Sequence, residues 1–584
     1  MTAATPAPSD DRRFKLGPPA RTVRARLDRL GLSEQGTAGW TIAAALLSAI
    51  FALPIIALLV LAFGPGDNIW AHLFTTVLPG AITNTALLLL GAGVIALVVG
   101  TCAAWLVTMY RFPGRAIVDR LLVLPLAMPT YIVAYAYVEL LDYAGPVQTG
   151  LRSMFGFKLP LDYVFPEIRS LPGAIAIFAA VLYPYIYLSA RASFVQQSIC
   201  VLEVARTLGR TALGTFWSIA LPIARPALAG GVALVLMECL NDLGAVQYLG
   251  VETLTASIYA TWLQRTNLGG AAALATVMLV LIFALLLAER WFRAGGTQNT
   301  TGRNRSIPFE TLDGWRGWLA LIIVTMPFVI GFLVPSLVLA GHAIQHFKTA
   351  FSSDFLRAAR NSLVLAALAS LFAVALALLF GYAARVAKSP VTLASARVAS
   401  LGYALPGTVL AIGLLIPLAA IDNGIDAWMS QHFGVGTGLI MSGSLFAVTL
   451  ALVIRFLAVA LGSIEAGLGR ISPNLDAASR TLGSSPASTL LRVHLPLLGP
   501  ALGAAALLVF VDAMKELPAT LLLRPFNFET LATHVYALAA VEQFEEAALG
   551  AITIVLIGLV PVLLLHQTIS EGRAGGGGRY SRLL

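Results

Sequence analysis

Residues 203–228 read EVARTLGRTALGTFWSIALPIARPAL, and residues 477–502 read AASRTLGSSPASTLLRVHLPLLGPAL. Both carry R-T-L-G, a short polar stretch, and then L-P-x-x-x-P-A-L, at an offset of 274. Upstream, Asn84 and Asn361, and Pro129 and Pro406, stand 277 apart, so a short length change lies between. Polar loop residues recurring at a fixed offset are not what chance similarity between apolar helices produces. The chain therefore reads as a duplication, with a pathway expected where the two repeats meet.

Working outward, the flanking sequence is apolar. Of 584 residues, 58% are hydrophobic and only 11% are charged, with a mean hydropathy of +0.84. A soluble domain carries roughly a quarter of its residues charged, so much of this surface must face lipid. The net charge of +9 sits in short clusters beside apolar runs, which is the pattern of topology-setting loops rather than of a nucleic-acid face. Cys102, Cys200 and Cys239 lie far apart and support neither a disulfide framework nor a zinc site. Residues 1–39 are polar and basic, with no apolar run before about residue 40, and read as a cytoplasmic tail.

Runs of about 20 apolar residues predict spans near 40–64, 81–110, 117–141, 172–190, 226–247 and 270–289. A second set follows near 317–340, 361–384, 398–420, 437–461, 498–522 and 547–568. The expected fold is all-α: about twelve transmembrane helices in two homologous halves, 40–293 and 317–570. A polar linker, 294–316, joins them, and a Gly-rich tail, 571–584, follows. Threading from an inside N-terminus places Arg111 and Arg115; Arg191, Arg206 and Arg210; Arg290 and Arg293; Arg385 and Lys388; and Arg470, Arg480 and Arg492 in cytoplasmic loops. Both termini then fall inside, and the repeats run parallel.

The loop between the fourth and fifth spans predicts a short helix ended by a glycine able to take positive φ. A second segment then runs to a proline that restarts the chain into the membrane. Its pattern, Glu203-Val-Ala205-x-x-x-Gly209, nine residues, Ile219-x-Leu221-Pro222, resembles the EAA loop of ABC-importer permeases, and the second copy offers Ala478, Gly483, Leu495 and Pro496. The resemblance implies a knob that docks in a groove on an ATPase. The second copy departs from it: Ala477 holds the glutamate position, and the nearest acid is Asp476, about 100° around the helix. No G-x-x-x-x-G-K-[ST] occurs; Gly209 and Gly214 have the spacing, but Thr215 follows. ATP and Mg are thus expected on separate subunits, two copies for two halves, and no catalytic residues or cofactor are expected here.

Spans five and eleven carry acids: VLMECLNDLGAV and VFVDAMKELPAT. Glu238 and Asp242 share a helix face, as do Asp512 and Glu516, and the pairs match at offset 274, with Asn241 matched by Lys515. Intramembrane charges face a pathway or a partner; an ion-pair scaffold built on Lys515 and Arg524 is the competing reading. These stretches, with LPLAMPTYIVAYAY (124–137), are similar to the duplicated permeases of bacterial ferric-iron importers. That resemblance implies the type I importer fold, an inner-membrane location, a periplasmic ferric-binding protein and two ATPase copies. Fe³⁺ is a hard ion suited to carboxylate and phenolate oxygen, so transient contacts at the four acids are expected, without a stable metal site. Tyr131, Tyr135, Tyr137, Tyr183, Tyr185 and Tyr187 read as interface anchors or packing residues. Other small solutes, such as a phosphonate, thiamine or a polyamine, remain open. So does a proton-driven carrier using the same acids, although it gives the paired loops no purpose. The seven histidines are scattered, and no metal-ligand cluster is legible among them.

Overall fold

The computed structural model describes residues 38–64, 69–159, 162–197, 209–293 and 310–571. Six long helices form the first half: α1 (Ala38–Phe63), α2 (Leu78–Met109), α3 (Thr130–Leu141), α4 (Leu171–Gln196), α5 (Leu221–Asn241) and α6 (Leu268–Arg293). Six form the second: α7 (Trp315–Gln345), α8 (Ser353–Ala387), α9 (Gly407–Phe433), α10 (Leu445–Arg470), α11 (Gly499–Met514) and α12 (Phe544–Glu571). Among the described residues ten helices are long and apolar enough to cross a membrane, and twelve if two sharply bent pairs each count once. The only strands among them are two residues each, Tyr110–Arg111 pairing in parallel with Glu310–Thr311, in register Tyr110 to Glu310.

Four predicted spans are broken rather than continuous. Near 117–141 and 398–420, a proline removes an N–H and forces its predecessor out of the helical region. Met128 sits at φ −104°, ψ 117° before Pro129, and Leu405 at φ −80°, ψ 123° before Pro406. A 3-10 turn precedes each break, Leu124–Ala127 and Leu401–Ala404. Near 226–247 the helix stops at Asn241, with Asp242 extended at φ −79°, ψ 116°. Near 498–522 it stops at Met514, and Pro518–Leu523 restarts it.

The duplication is visible in single hydrogen bonds. Asn84 Nδ2 donates to the Glu252 carbonyl at 3.1 Å, and Asn361 Nδ2 donates to the Glu529 carbonyl at 2.9 Å. One residue on, Thr85 Oγ1 accepts from the Leu254 amide at 2.9 Å and Ser362 Oγ from the Leu531 amide at 2.7 Å. These are the donors and acceptors that a polar side chain needs when it sits in an apolar helix. Small buried residues line α2 (Ala92, Ala96, Gly100, Ala103, Ala104) and α8 (Ala366, Ala369, Ala373, Ala377). They let helices approach closely, as lipid-embedded packing requires: a Cβ on Gly100 would lie 2.9 Å from the Tyr183 carbonyl of α4.

The first helix of each half also packs on the other half. Helix α1 lies against Pro390–Ser400 and α9, and α7 against the Leu124–Ala127 turn, α3 and α4. A Cβ on Gly413 of α9 would lie 2.5 Å from the Pro54 carbonyl of α1, so glycine sets this approach. Tyr137 Oη of α3 donates to the Ile330 carbonyl of α7 at 2.6 Å. The tyrosines split accordingly: Tyr183 and Tyr187 are fully buried, bonding the Leu122 carbonyl and the Asp119 carboxylate, so they are packing residues rather than interface anchors.

Candidate translocation site and coupling elements

The breaks in α5, α11 and before α3 and α9 converge. Together with α4 and α10 they enclose a cavity of about 130 Å³ between the halves, lined by Glu238, Asn241, Asp242, Asp512, Lys515 and Glu516. All six intramembrane residues singled out from the sequence therefore meet in one place. Thr130, Tyr131, Tyr185, Tyr403 and Arg455 complete its polar lining. Four carboxylates against Lys515 and Arg455 leave a formal charge of −2.

The four acids fall into two kinds. Asp242 and Glu516 each cap the short helix that follows, Gly244–Tyr248 and Pro518–Leu523: Asp242 Oδ1 accepts from the Ala245 amide at 2.7 Å, and Glu516 Oε1 from the Ala519 amide at 3.0 Å. Glu516 Oε2 also accepts from the Thr520 amide and hydroxyl, each at 3.0 Å. A carboxylate at a helix N-terminus satisfies orphan donors and complements the dipole. Glu238 and Asp512 lie one turn earlier and face the cavity: Tyr185 stands beside Glu238, and Lys515 Nζ lies 2.9 Å from Asp512 Oδ1. Asn241 Oδ1 accepts from the Gly407 amide of α9 at 3.0 Å, joining the halves.

Arg455 was missed in the sequence reading. It sits 3.4 Å from Glu516, both side chains buried. Its signal was a single charge inside LFAVTLALVIRFLAVALG, and at offset 274 it replaces Val181, so the cavity is electrostatically asymmetric. Arg524 does not reach the cavity acids; it pairs with Glu529 at 3.2 Å.

Of the first candidate coupling loop, Glu203 and Ala205 lie outside the described residues. Gly209, Leu221 and Pro222 are described, and Gly209 holds φ +80°. In the second copy the helix Pro473–Thr481 ends at Gly483, φ +75°. The Ser484 amide bonds back to the Ser479 carbonyl at 3.0 Å, and the Gly483 amide to that of Arg480 at 3.0 Å, the closure a left-handed terminal residue permits. Each loop then enters the membrane through a five-residue π turn, Phe216–Ala220 and Leu490–His494, again at offset 274. The copies differ beyond it. Residues 213–241 continue as one span, whereas Pro486–Leu497 and Gly499–Met514 bend by 78°, with Gly499 where the first copy has Arg225.

Asp476 turns inward. Arg385 holds its Oδ2 from α8, and His494 Nε2 lies 2.8 Å from its Oδ1, outside hydrogen-bond alignment. The residue expected to meet a partner is thus bonded within its own half. Ala478, Leu495 and Pro496 lie on the helix and re-entry segment beside it.

A polytopic helical pair of repeats, with an inter-repeat cavity at broken helices and a positive-φ glycine at the matching place outside each half, defines a transport permease. Residues 96–295 match the model of the binding-protein-dependent transport system inner membrane component, and the chain belongs to that family. It is 26% identical over 493 residues to an Fe(3+)-transport system permease protein of Haemophilus influenzae, covering 83% of this chain and 89% of the relative. It is 24% identical over 511 residues to a ferric transport system permease protein of Actinobacillus pleuropneumoniae, covering 83% and 70%. A sulfate transport system permease protein of Salmonella typhimurium is 30% identical over 197 residues, 33% of this chain and 68% of that one. The protein is therefore a multi-pass inner-membrane transport permease.

Proposed function

We propose that this permease imports ferric iron, received from a periplasmic ferric-binding protein and driven by two copies of a separate ATPase that bind ATP and Mg. One observation carries the substrate reading: Glu238 and Asp512 bring the inner carboxylates of both halves to a single cavity with a net negative charge. Hard oxygen donors suit a hard cation, and a site half-neutralised by Lys515 binds weakly enough to release it. The two relatives named for iron match across both halves, which supports the same reading.

The coupling role falls to Glu203, Ala205, Gly209, Leu221 and Pro222 in the first copy, and to Ala478, Gly483, Leu495 and Pro496 in the second. Asp476 acts there by positioning the helix. Both termini and both loops lie on the cytoplasmic side in this reading. A second reading, an oxyanion substrate, is favoured by Arg455 and Lys515, which donate into the same cavity.

Reconstitution in proteoliposomes with the ATPase and binding protein tests the proposal. Uptake of labelled ferric iron is expected, lost when the ATPase is inactivated. Uptake that survives a dead ATPase overturns the energy source; sulfate or phosphonate uptake without iron uptake overturns the substrate.

A further inference from the structure

The seven histidines are scattered in sequence, yet two of them meet two acids in the fold. His342 and His346 lie one turn apart at the end of α7, so both project from one face. Their rings are nearly parallel, 6.2 Å between centroids at 19°. One donor atom each from His342, His346 and Glu545 lies within 4.8 Å of the others. His342 Nε2 also contacts the Glu139 carboxylate of α3, and His346 Nε2 lies 3.3 Å from Glu545 Oε2 at the start of α12. We propose that His342, His346 and Glu545 bind a divalent transition-metal ion of the Zn²⁺ class, tying α7 to α12, while Glu139 of α3 holds His342 from the first half.

The donor chemistry selects the ion. Two imidazoles with a carboxylate suit borderline ions such as Zn²⁺, whereas the hard cargo reading of the central cavity rests on oxygen alone. The field is favourable as well. Three residues beyond Glu139 and three before Glu545 stand Asp142 and Glu542, both bridged by Arg169 at 3.4 and 2.9 Å. Two carboxylates thus share one guanidinium, next to the two that face the histidines. The Nδ1 atoms of both histidines are buried without a hydrogen-bond partner, so each ring keeps one nitrogen uncommitted while its Nε2 faces a carboxylate.

The place in the fold gives the site a consequence. Helix α7 starts beside the Tyr110–Arg111 strand and ends at His346, so the cluster lies on the face away from the coupling loops. A metal there fixes His342, and through the Glu139 contact opposes the separation of the halves on that face.

The test uses the full-length permease in complex with its ATPase, stripped with a chelator and titrated with Co²⁺ alone. We expect about one equivalent bound, with visible ligand-field absorption of an imidazole-containing site, displaced by Zn²⁺. His342→Ala with His346→Ala is expected to weaken binding at least tenfold, and Glu545→Gln by a smaller factor, a range in keeping with losses at the margins of metal sites. Zn²⁺ is expected to raise the melting temperature of the native protein but not of the double variant. No spectrum, an unchanged spectrum in the double variant, or binding of ferric citrate in place of Co²⁺ overturns the proposal. Should the double variant fail to fold, Glu545→Gln, at a half-exposed carboxylate, decides it by the same titration.

Discussion

Arg385 grips Asp476 through two nitrogens, Nε at 2.9 Å and Nη2 at 2.7 Å. The same guanidinium donates to the Leu468 and Ile471 carbonyls at the end of α10, so α8, α10 and the second coupling helix are tied at one point. Asp476→Asn should cost about 1.5–3 kcal/mol, the range for a hydrogen bond to a charged group. It should also reduce the ATP hydrolysis stimulated by loaded binding protein, with Asp476→Glu recovering part of it. Unchanged stimulation would remove Asp476 from the coupling path.

Gly209 and Gly483 hold left-handed backbone with nothing near the site of a Cβ. Substitution there tests conformation alone, free of any clash. Gly483→Val should cost about 1–2 kcal/mol locally and uncouple ATP hydrolysis from uptake. Gly483→Asn, a residue that tolerates positive φ, should retain more coupling. Equal behaviour of the two variants in a coupled uptake assay would count against the turn.

Arg455 and Glu516 form the most buried ion pair of the cavity. Arg455→Met leaves a buried carboxylate without its counter-charge and should destabilise by about 3–5 kcal/mol. Adding Glu516→Gln should recover part of that, since the buried charge is removed while the Gln Oε1 keeps one side of the cap on Pro518–Leu523. A double-mutant cycle in thermal melts reads the coupling directly.

The two kinds of cavity acid predict two phenotypes. Asp242→Ala loses a helix cap and should lower stability by about 0.5–2 kcal/mol. Glu238→Gln should leave the melting temperature in place and lower iron uptake. Identical effects in melts and uptake would collapse the distinction.

Much of this was legible in the sequence for physical reasons. Long apolar runs must span, a repeat must build two halves, and acids inside spans must find a shared polar space. The R-T-L-G repeat located both positive-φ glycines, and offset 274 paired Glu238 with Asp512. What was not legible depends on which elements end up adjacent. Arg455 is one charge in a long span, and only the fold brings it to Glu516. Asp476 looked like a surface acid until Arg385, 91 residues earlier, closed on it. His342 and His346 showed an i,i+4 spacing, but Glu139 and Glu545 come from opposite ends of the chain. The helix breaks were written in Pro129 and Pro406, although an apolar run hides the break that a proline makes.

The crossing of α1 onto the second half sets a timetable for biogenesis. Gly413, against which α1 rests, lies 359 residues after Pro54. At roughly 5–20 residues per second of synthesis, α1 waits about 20 to 70 s in the bilayer before this second-half neighbour exists. Helix α6 of its own half, which also packs on α1, is made well before that, so only the face that meets the second half is held meanwhile by lipid or by the insertion machinery.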